Sequence, residues 1–313
     1  MRIAAWIGIL TMACASGCAS ARRGAQIQLP PPPVVLSDMP TMEQVVAVVN
    51  RTQNVRQLSS NSTEVEVLSM NVPRLSATLN LEREKKLRLR AGIPMLLGAG
   101  MDLGSNDETF WFEVPEGVGM SKTMYYARHD QYREQLNRAI FPVDPTWVMD
   151  ALGLVQINPA NVVDGPVKRP DGKLELRDTM MMPDGMYQRV CFVEPSAGYV
   201  TDQFLYAPNG VEVARSLASD HRYYNETQCA LPHTVELTLK PAGGQPLSLR
   251  IKVGTYAVNQ LLSGDPNLFT MPSSGAKAVD LTKLSAPASL APTAPVNYSA
   301  TAPSAYPIRG TLR

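Results

Sequence analysis

Between Leu75 and Ala127 apolar and polar residues trade places with a period of two, and that rhythm leaves few folds open. Leu75, Ala77, Leu79 and Leu81 alternate with Ser76, Thr78, Asn80 and Glu82. After the charged turn Arg83–Lys86, Leu87, Leu89 and Ala91 alternate with Arg88 and Arg90. A period of two is the signature of a strand with one buried and one wet face. Gly104-Ser105-Asn106-Asp107 reads as a second turn, Thr109–Val114 (TFWFEV) as an aromatic strand, and Lys122–Ala127 (KTMYYA) as a further strand beyond a Gly-rich turn. The stretch predicts an antiparallel meander whose apolar face is made by Leu79, Leu81, Leu87, Leu89, Phe110, Phe112, Met124 and Tyr126. Something must cover that face.

The rest of the chain extends the pattern. Thr41-Met42-Glu43-Gln44 is a capping box, and Met42, Val45, Val46 and Val49 fall on one helical stripe, which predicts a helix over about 42–58. Thr63–Ser69 then reads as the first strand. Arg128–Arg138 is polar and helical or irregular. Asp144 as N-cap, Pro145 at the first helical position and Gly153 at the end predict a short internal helix. Strands return at 174–179, 187–194, 198–206, 210–217, 233–240 and 247–253, with Pro208-Asn209-Gly210 as a hairpin turn. From Ser273 onward Ala, Pro, Ser and Thr take over, and 276–313 reads as a disordered tail.

The first residues predict export. Met1-Arg2 precedes a short apolar run, Ile3–Met12, too short to span a membrane. Ala15-Ser16-Gly17-Cys18 resembles a bacterial lipobox, with Cys18 as the acylated residue. Cys14 is a second candidate, and Ala19-Ser20-Ala21 an alternative cleavage site that would release the chain without either Cys. Under the lipobox reading, 1–17 is a signal peptide and 18–40, with Pro30–Pro33, a semi-rigid tether of about 3.1 Å per residue.

Few residues suggest chemistry. A net charge of +1 in 313 residues gives no electrostatic footprint for nucleic acid. Of the three His, His129 sits in a polar segment, while His221 and His233 lie near strand ends with no motif around them. Gly98–Gly104 has the wrong spacing for a dinucleotide loop. No catalytic constellation, metal cluster or cofactor motif is read. Met180, Met181, Met182 and Met186 could hold copper(I), offer a soft apolar surface or do neither. Cys191 and Cys229 are a candidate disulfide or two buried thiols.

The order of these motifs also resembles a known family. A strand ending Leu79-Asn-Leu81-Glu-Arg83, a basic turn, the Lys86–Arg90 strand and then Asp102-Leu-Gly-Ser-Asn-Asp-Glu108 before Phe110-Trp-Phe112 look like lipoprotein-sorting proteins of the LolA and LolB type. The resemblance runs from about Thr41 to Pro272. It implies a mainly β fold: a curved, unclosed antiparallel half-barrel packed against an N-terminal helix and a short internal helix, here over 41–275. It implies that the concave face takes acyl chains and that Arg83 stands where those proteins carry an Arg linked to opening and closing of the cavity. They follow it with Pro; here Glu84 stands. Ala19, in place of the Asp of the enterobacterial retention rule, points to the outer membrane. The resemblance thus implies a monomeric, non-catalytic lipoprotein in the cell envelope, on the periplasmic side of the outer membrane. It would be anchored by its N-terminal acyl group and would receive or relay acyl chains of lipoproteins or other lipids. The alternative is a scaffolding envelope lipoprotein with a filled core and a partner-binding tail; an envelope hydrolase has no residues to support it.

Overall fold

Two meanders meet edge to edge. The structure, a computed structural model, describes residues 30–69, 73–92, 100–115, 122–134, 146–182, 185–241, 245–273 and 277–283. The first meander is β1 (Gln57–Val67), β2 (Leu75–Glu82), β3 (Lys86–Gly92), β4 (Gly100–Ser105), β5 (Thr109–Pro115) and β6 (Lys122–Arg128). The second is β7 (Val162–Lys168), β8 (Leu174–Met182), β9 (Gly185–Val193), β10 (Val200–Tyr206), β11 (Glu212–Tyr224), β12 (Cys229–Leu239) and β13 (Leu247–Val253). β13 pairs with β1, and β14 (Ala257–Val258) pairs with the start of β1. β15 (Lys277–Asp280) adds a parallel strand to β6. The order therefore runs from β15 through β6 to β1, across to β13, and down to β7. The ends of that path, β15 and β7, do not pair, so the sheet is open, as expected.

Helical pieces lie along the concave side. α1 (Met42–Val49) begins at the capping box: the Gln44 amide donates to Thr41 Oγ1 (3.3 Å) and the Thr41 amide to Gln44 Oε1 (2.9 Å). It buries Val45, Val46 and Val49 and stops nine residues earlier than the 42–58 expected, passing into a 3₁₀ turn over Asn50–Asn54. The cause is Asn50, whose amide group exchanges two 2.8 Å hydrogen bonds with the backbone of Ile157. β1 then starts at Gln57, six residues ahead of its expected start. The crossover between the meanders carries α2 (His129–Arg133), then α3 (Trp147–Met149) continuing into a wider π turn (Asp150–Leu154). Asp144 and Pro145, the expected helix start, lie outside the described residues.

One core gathers Leu58, Leu79, Leu81, Leu87, Leu89 and Phe110 with Leu231, Leu237 and Ile251 beneath Trp147–Leu154. A second joins Leu36 and α1 to Val155, Ile157, Leu174, Leu176, Cys191 and Val193. Leu36 reaches it because the Val35 and Leu36 amides both donate to Ser196 O. The end of the expected tether is thus docked. Residues 277–283, expected in the tail, are ordered as well: β15 lies on β6 and Leu281 is buried in the main core. Residues 1–29, with Cys14 and Cys18, and 284–313 lie outside the description.

Register corrects two of the expected face residues. Phe110 pairs with Ala127 and Phe112 with Tyr125, whereas Trp111 pairs with Tyr126 and Glu113 with Met124. Directly opposed residues share a face, so Tyr125 and Ala127 join the apolar side and Met124 and Tyr126 lie on the other. The alternation was legible; its phase across residues 116–121 was not, and a one-residue slip reverses every side chain.

The opposite face carries a layer of its own. Arg88 is 1 % exposed there, bound to Asp102 (2.5 Å) and to the carbonyls of Leu268 (3.1 Å) and Thr270 (2.8 Å), with Trp111 5.1 Å away. The loop after β14 thus buries a residue that alternation placed in water. β4 itself went unread because Gly-Met-Asp-Leu-Gly-Ser has little strand propensity. Its Gly104 is required by packing: a Cβ there would lie 2.2 Å from Trp111 Cζ2. Gly104→Val is expected to lower stability by about 1–3 kcal/mol through overpacking, read as a urea midpoint shift at unchanged slope.

Candidate functional site

The concave face of the open sheet carries most of the main apolar core, and among the described residues the crossover and Leu281 cover it. Leu79 and Leu81 are 0 % exposed and Leu87 and Leu89 nearly so. Phe110 is buried against Tyr132 of α2 (ring centroids 5.0 Å apart, edge-on), and Phe112 stacks on Tyr125 at 4.9 Å. Val148, Trp147 and Met149 of α3 close over these residues as part of the same core. A cleft of about 10 Å³ between Val148 and Leu87, Leu103, Phe110 and Phe112 is no larger than a water needs. A second, of about 20 Å³, lies between the Pro32–Val35 segment, α1 and β11.

The chain from Asp150 to Ile157 is held in another way, by side chains gripping its backbone. Arg189 on β9 donates to Asp150 Oδ2 (2.9 Å) and to Gln156 O (2.7 Å), and is itself clasped by Asp178 at 2.9 and 2.5 Å. Gln203 Nε2 donates to Asp150 O (3.0 Å) and Ser216 Oγ to Ala151 O (3.2 Å). Thr52 Oγ1 donates to Val155 O (2.6 Å) and Asn50 Nδ2 to Ile157 O (2.8 Å). Asp178, Arg189, Gln203 and Ser216 are all buried and come from β8, β9, β10 and β11 in turn, a polar row across the concave face. The expected helix end at Gly153 is real: its φ of 94° turns the chain from the π turn toward extended Val155, and its missing Cβ leaves room for Pro232.

Arg83 completes the grip from the β2–β3 turn. Its Nε donates to Val55 O (2.9 Å), and one Nη to both Thr52 O (3.2 Å) and Leu154 O (3.0 Å). One guanidinium thus joins the β2–β3 turn, the segment after α1 and the crossover. Burial pulls its pKa below the usual arginine value, and the Asp150 charge across the crossover opposes that shift. Burial alone would also disfavour the charge on Arg189, yet the net effect of its neighbours is upward. Of these, Cys191 is pushed up to about 12 by burial and is an uncharged thiol at neutral pH, so Asp178 and Asp150 are the charges that matter.

The other candidates are placed apart from this site and from one another. Cys191 and Cys229 are free, buried thiols. They sit on β9 and β12, three strand spacings apart along the sheet, about 14 Å, so no disulfide joins them. Met180 and Met182 pack on the core while Met181 is 73 % exposed, so their thioethers do not converge on one ion. Among the described residues no group of three His, Cys, Asp or Glu is placed to hold a metal ion. His129 Nε2 lies 3.1 Å from Ser105 Oγ but also 2.9 Å from Asn106 O, which only accepts; that nitrogen carries the proton and is no base for the serine. His221, stacked 4.0 Å from Tyr199, is held down at about 4 by burial, and His233 is held low for the same reason while bonding Tyr224 and Val253 O. Sequence reasoning missed Asp150, Asp178, Arg189 and Gln203. Asp178 and Arg189 do carry a signal, since each takes an inward place in the alternation of its strand.

The two arginines differ in what their loss leaves behind. Arg189→Met strands the buried Asp178 and is expected to cost about 3–5 kcal/mol. Arg83→Met strands carbonyls only and is expected to cost about 2–4 kcal/mol. Urea unfolding checks both; a loss under about 1 kcal/mol in either would contradict the grip described here.

No protein-family model and no curated protein matches the chain. Among solved structures it is similar to a domain described as outer membrane lipoprotein-sorting from Vibrio parahaemolyticus, at 9% identity and TM-score 0.46, over 73% of this chain and 97% of that one. It is similar to a LolA superfamily protein from Nitrosomonas europaea, at 9% identity and TM-score 0.41, over 72% and 96%. A DUF1329 family protein from Desulfovibrio piger matches at 11% identity and TM-score 0.44, over 70% and 92%. The sheet is open by its own strand order and register.

Proposed function

We propose that this chain binds acyl chains of lipoproteins or other envelope lipids against the concave face of its open sheet, without catalysis. The observation that carries this reading is the cover. Among the described residues the main apolar face is closed by the crossover together with Leu281, and not by a second sheet. That crossover contributes a few apolar side chains at its start and is bound by its backbone at its end. A cover of this kind can be exchanged for a ligand of the same chemistry. The sheet face gives each methylene that leaves water about 0.8 kcal/mol. In this reading Cys18 anchors the chain to the outer membrane on its periplasmic side, residues 19–29 and the prolines after them span the gap, and the protein receives or relays its cargo there as a monomer. Leu79, Leu81, Leu87, Leu89, Phe110 and Phe112 face the chains; Tyr125 replaces Met124 and Tyr126 in that set, and Arg83, bound to Leu154 O, fixes the later part of the crossover beside them.

A second reading has its own observation. Leu79 and Leu81 admit no water, and the cleft beneath Val148 is of about 10 Å³, as in a filled core built for scaffolding. The two are separated by purifying the chain from residue 19 onward without detergent, extracting it with organic solvent and identifying lipids by mass spectrometry, beside a titration with a fluorescent fatty acid. Stoichiometric lipid, or saturable uptake at micromolar concentration, is expected. Clean protein that takes up no fatty acid would put the scaffolding reading first.

A further inference from the structure

We propose that the acyl chain lies between the Trp147–Met149 turn and the β3–β5 face of the sheet, and that residues 150–157 are a fixed wall beside it and not part of a moving cover. This deepens the function proposed above and rests on it. The two parts of the crossover are held by different forces. From Asp150 to Ile157 the carbonyls of residues 150, 151, 154, 155, 156 and 157 are each bound by a side chain from the sheet or from the segment after α1. Lifting that part would part Asp150 from Arg189 and leave Asp178, Arg189 and Gln203, all buried, facing a hydrocarbon. An acyl chain has nothing to offer those groups in exchange.

The turn before Asp150 is held by apolar contact. Trp147, Val148 and Met149 are buried in the main core, and the Trp147 indole N–H is buried with no hydrogen-bond partner among the described residues. A buried donor left unpaired destabilises that turn, which no side-chain hydrogen bond from the described residues grips as one grips each carbonyl named above. Beneath it the sheet presents Leu87, Leu103, Phe110 and Phe112, and the small cleft under Val148 lies among them, with Ser105 and Trp111 its polar members and no charged residue among the described residues of its lining. An acyl chain that takes the place of Val148 finds hydrocarbon on both sides. A charged or zwitterionic head group finds no charged partner among the described residues of that lining and stays at the mouth.

The test uses the full-length protein and a palmitic acid analogue with a terminal diazirine, photolysed and mapped by peptide mass spectrometry with unlabelled palmitate as competitor. Competed adducts on Leu87, Leu103, Phe110, Phe112 or the 147–149 turn are expected. Competed adducts confined to β8–β11, at residues 174–224, would overturn this placement while leaving acyl-chain binding intact. An absence of any competed adduct would overturn the function itself and the placement with it. Leu103→Trp, which fills the cleft, is expected to reduce uptake of a fluorescent fatty acid at least tenfold with an unchanged far-UV spectrum; unchanged uptake in that folded variant would also overturn the placement.

Discussion

The Arg189 guanidinium, shared between Asp178 on its neighbouring strand and Asp150 on the crossover, is the interaction on which the rest of this structure depends. A charge this deep is tolerated only where its partners are fixed and its donors are used. Asp178 supplies the fixed partner from within the sheet. Asp150 can supply the other only if the crossover descends into the concave face, so the ion pair dictates where the chain between the two meanders must run. Once it is there, Gln203, Ser216, Thr52, Asn50 and Arg83 each find a carbonyl of the same short stretch.

That placement divides one open sheet into two halves of unlike chemistry. Strands β8 to β11 present a polar row to the crossover and are closed by it. Strands β3 to β5 present leucines and phenylalanines and, among the described residues, are closed by side chains alone: those of the Trp147–Met149 turn, Tyr132 of α2 and Leu281. The faces are continuous in hydrogen bonding, since β1 pairs with both β2 and β13, and apolar residues of both halves, Leu205 and Leu237 among them, share the main core, but the buried charges lie on β8 and β9. An open sheet needs a cover of some sort. What this chain adds is a cover whose two ends are held by different forces, apolar contact at Trp147–Met149 and side-chain hydrogen bonds to carbonyls from Asp150 on.

Much of this was legible in the residues. The alternation through Leu79, Leu81, Leu87 and Leu89, the capping box at Thr41 and the stop at Gly153 all stand, because each is a local rule acting over a few residues. What escaped was set by distant partners. Arg88 alternates like a wetted residue but is buried by carbonyls 180 and 182 positions away. α1 ends early because Asn50 answers Ile157 across 107 positions. Met124 and Tyr126 were put on the wrong face because the turn before β6 hides the register. The site itself was half legible: its apolar half follows from periodicity, whereas the polar row needs four strands laid side by side before it exists.

Hydrogen exchange read by peptide mass spectrometry, with and without palmitate, bears most directly on the division of the crossover. The account predicts that amides in residues 150–157 exchange only with global unfolding and ignore the fatty acid. Those in 146–149 should exchange much faster and change when it binds. Exchange of the two stretches as one unit, or no response of either to palmitate, would contradict it.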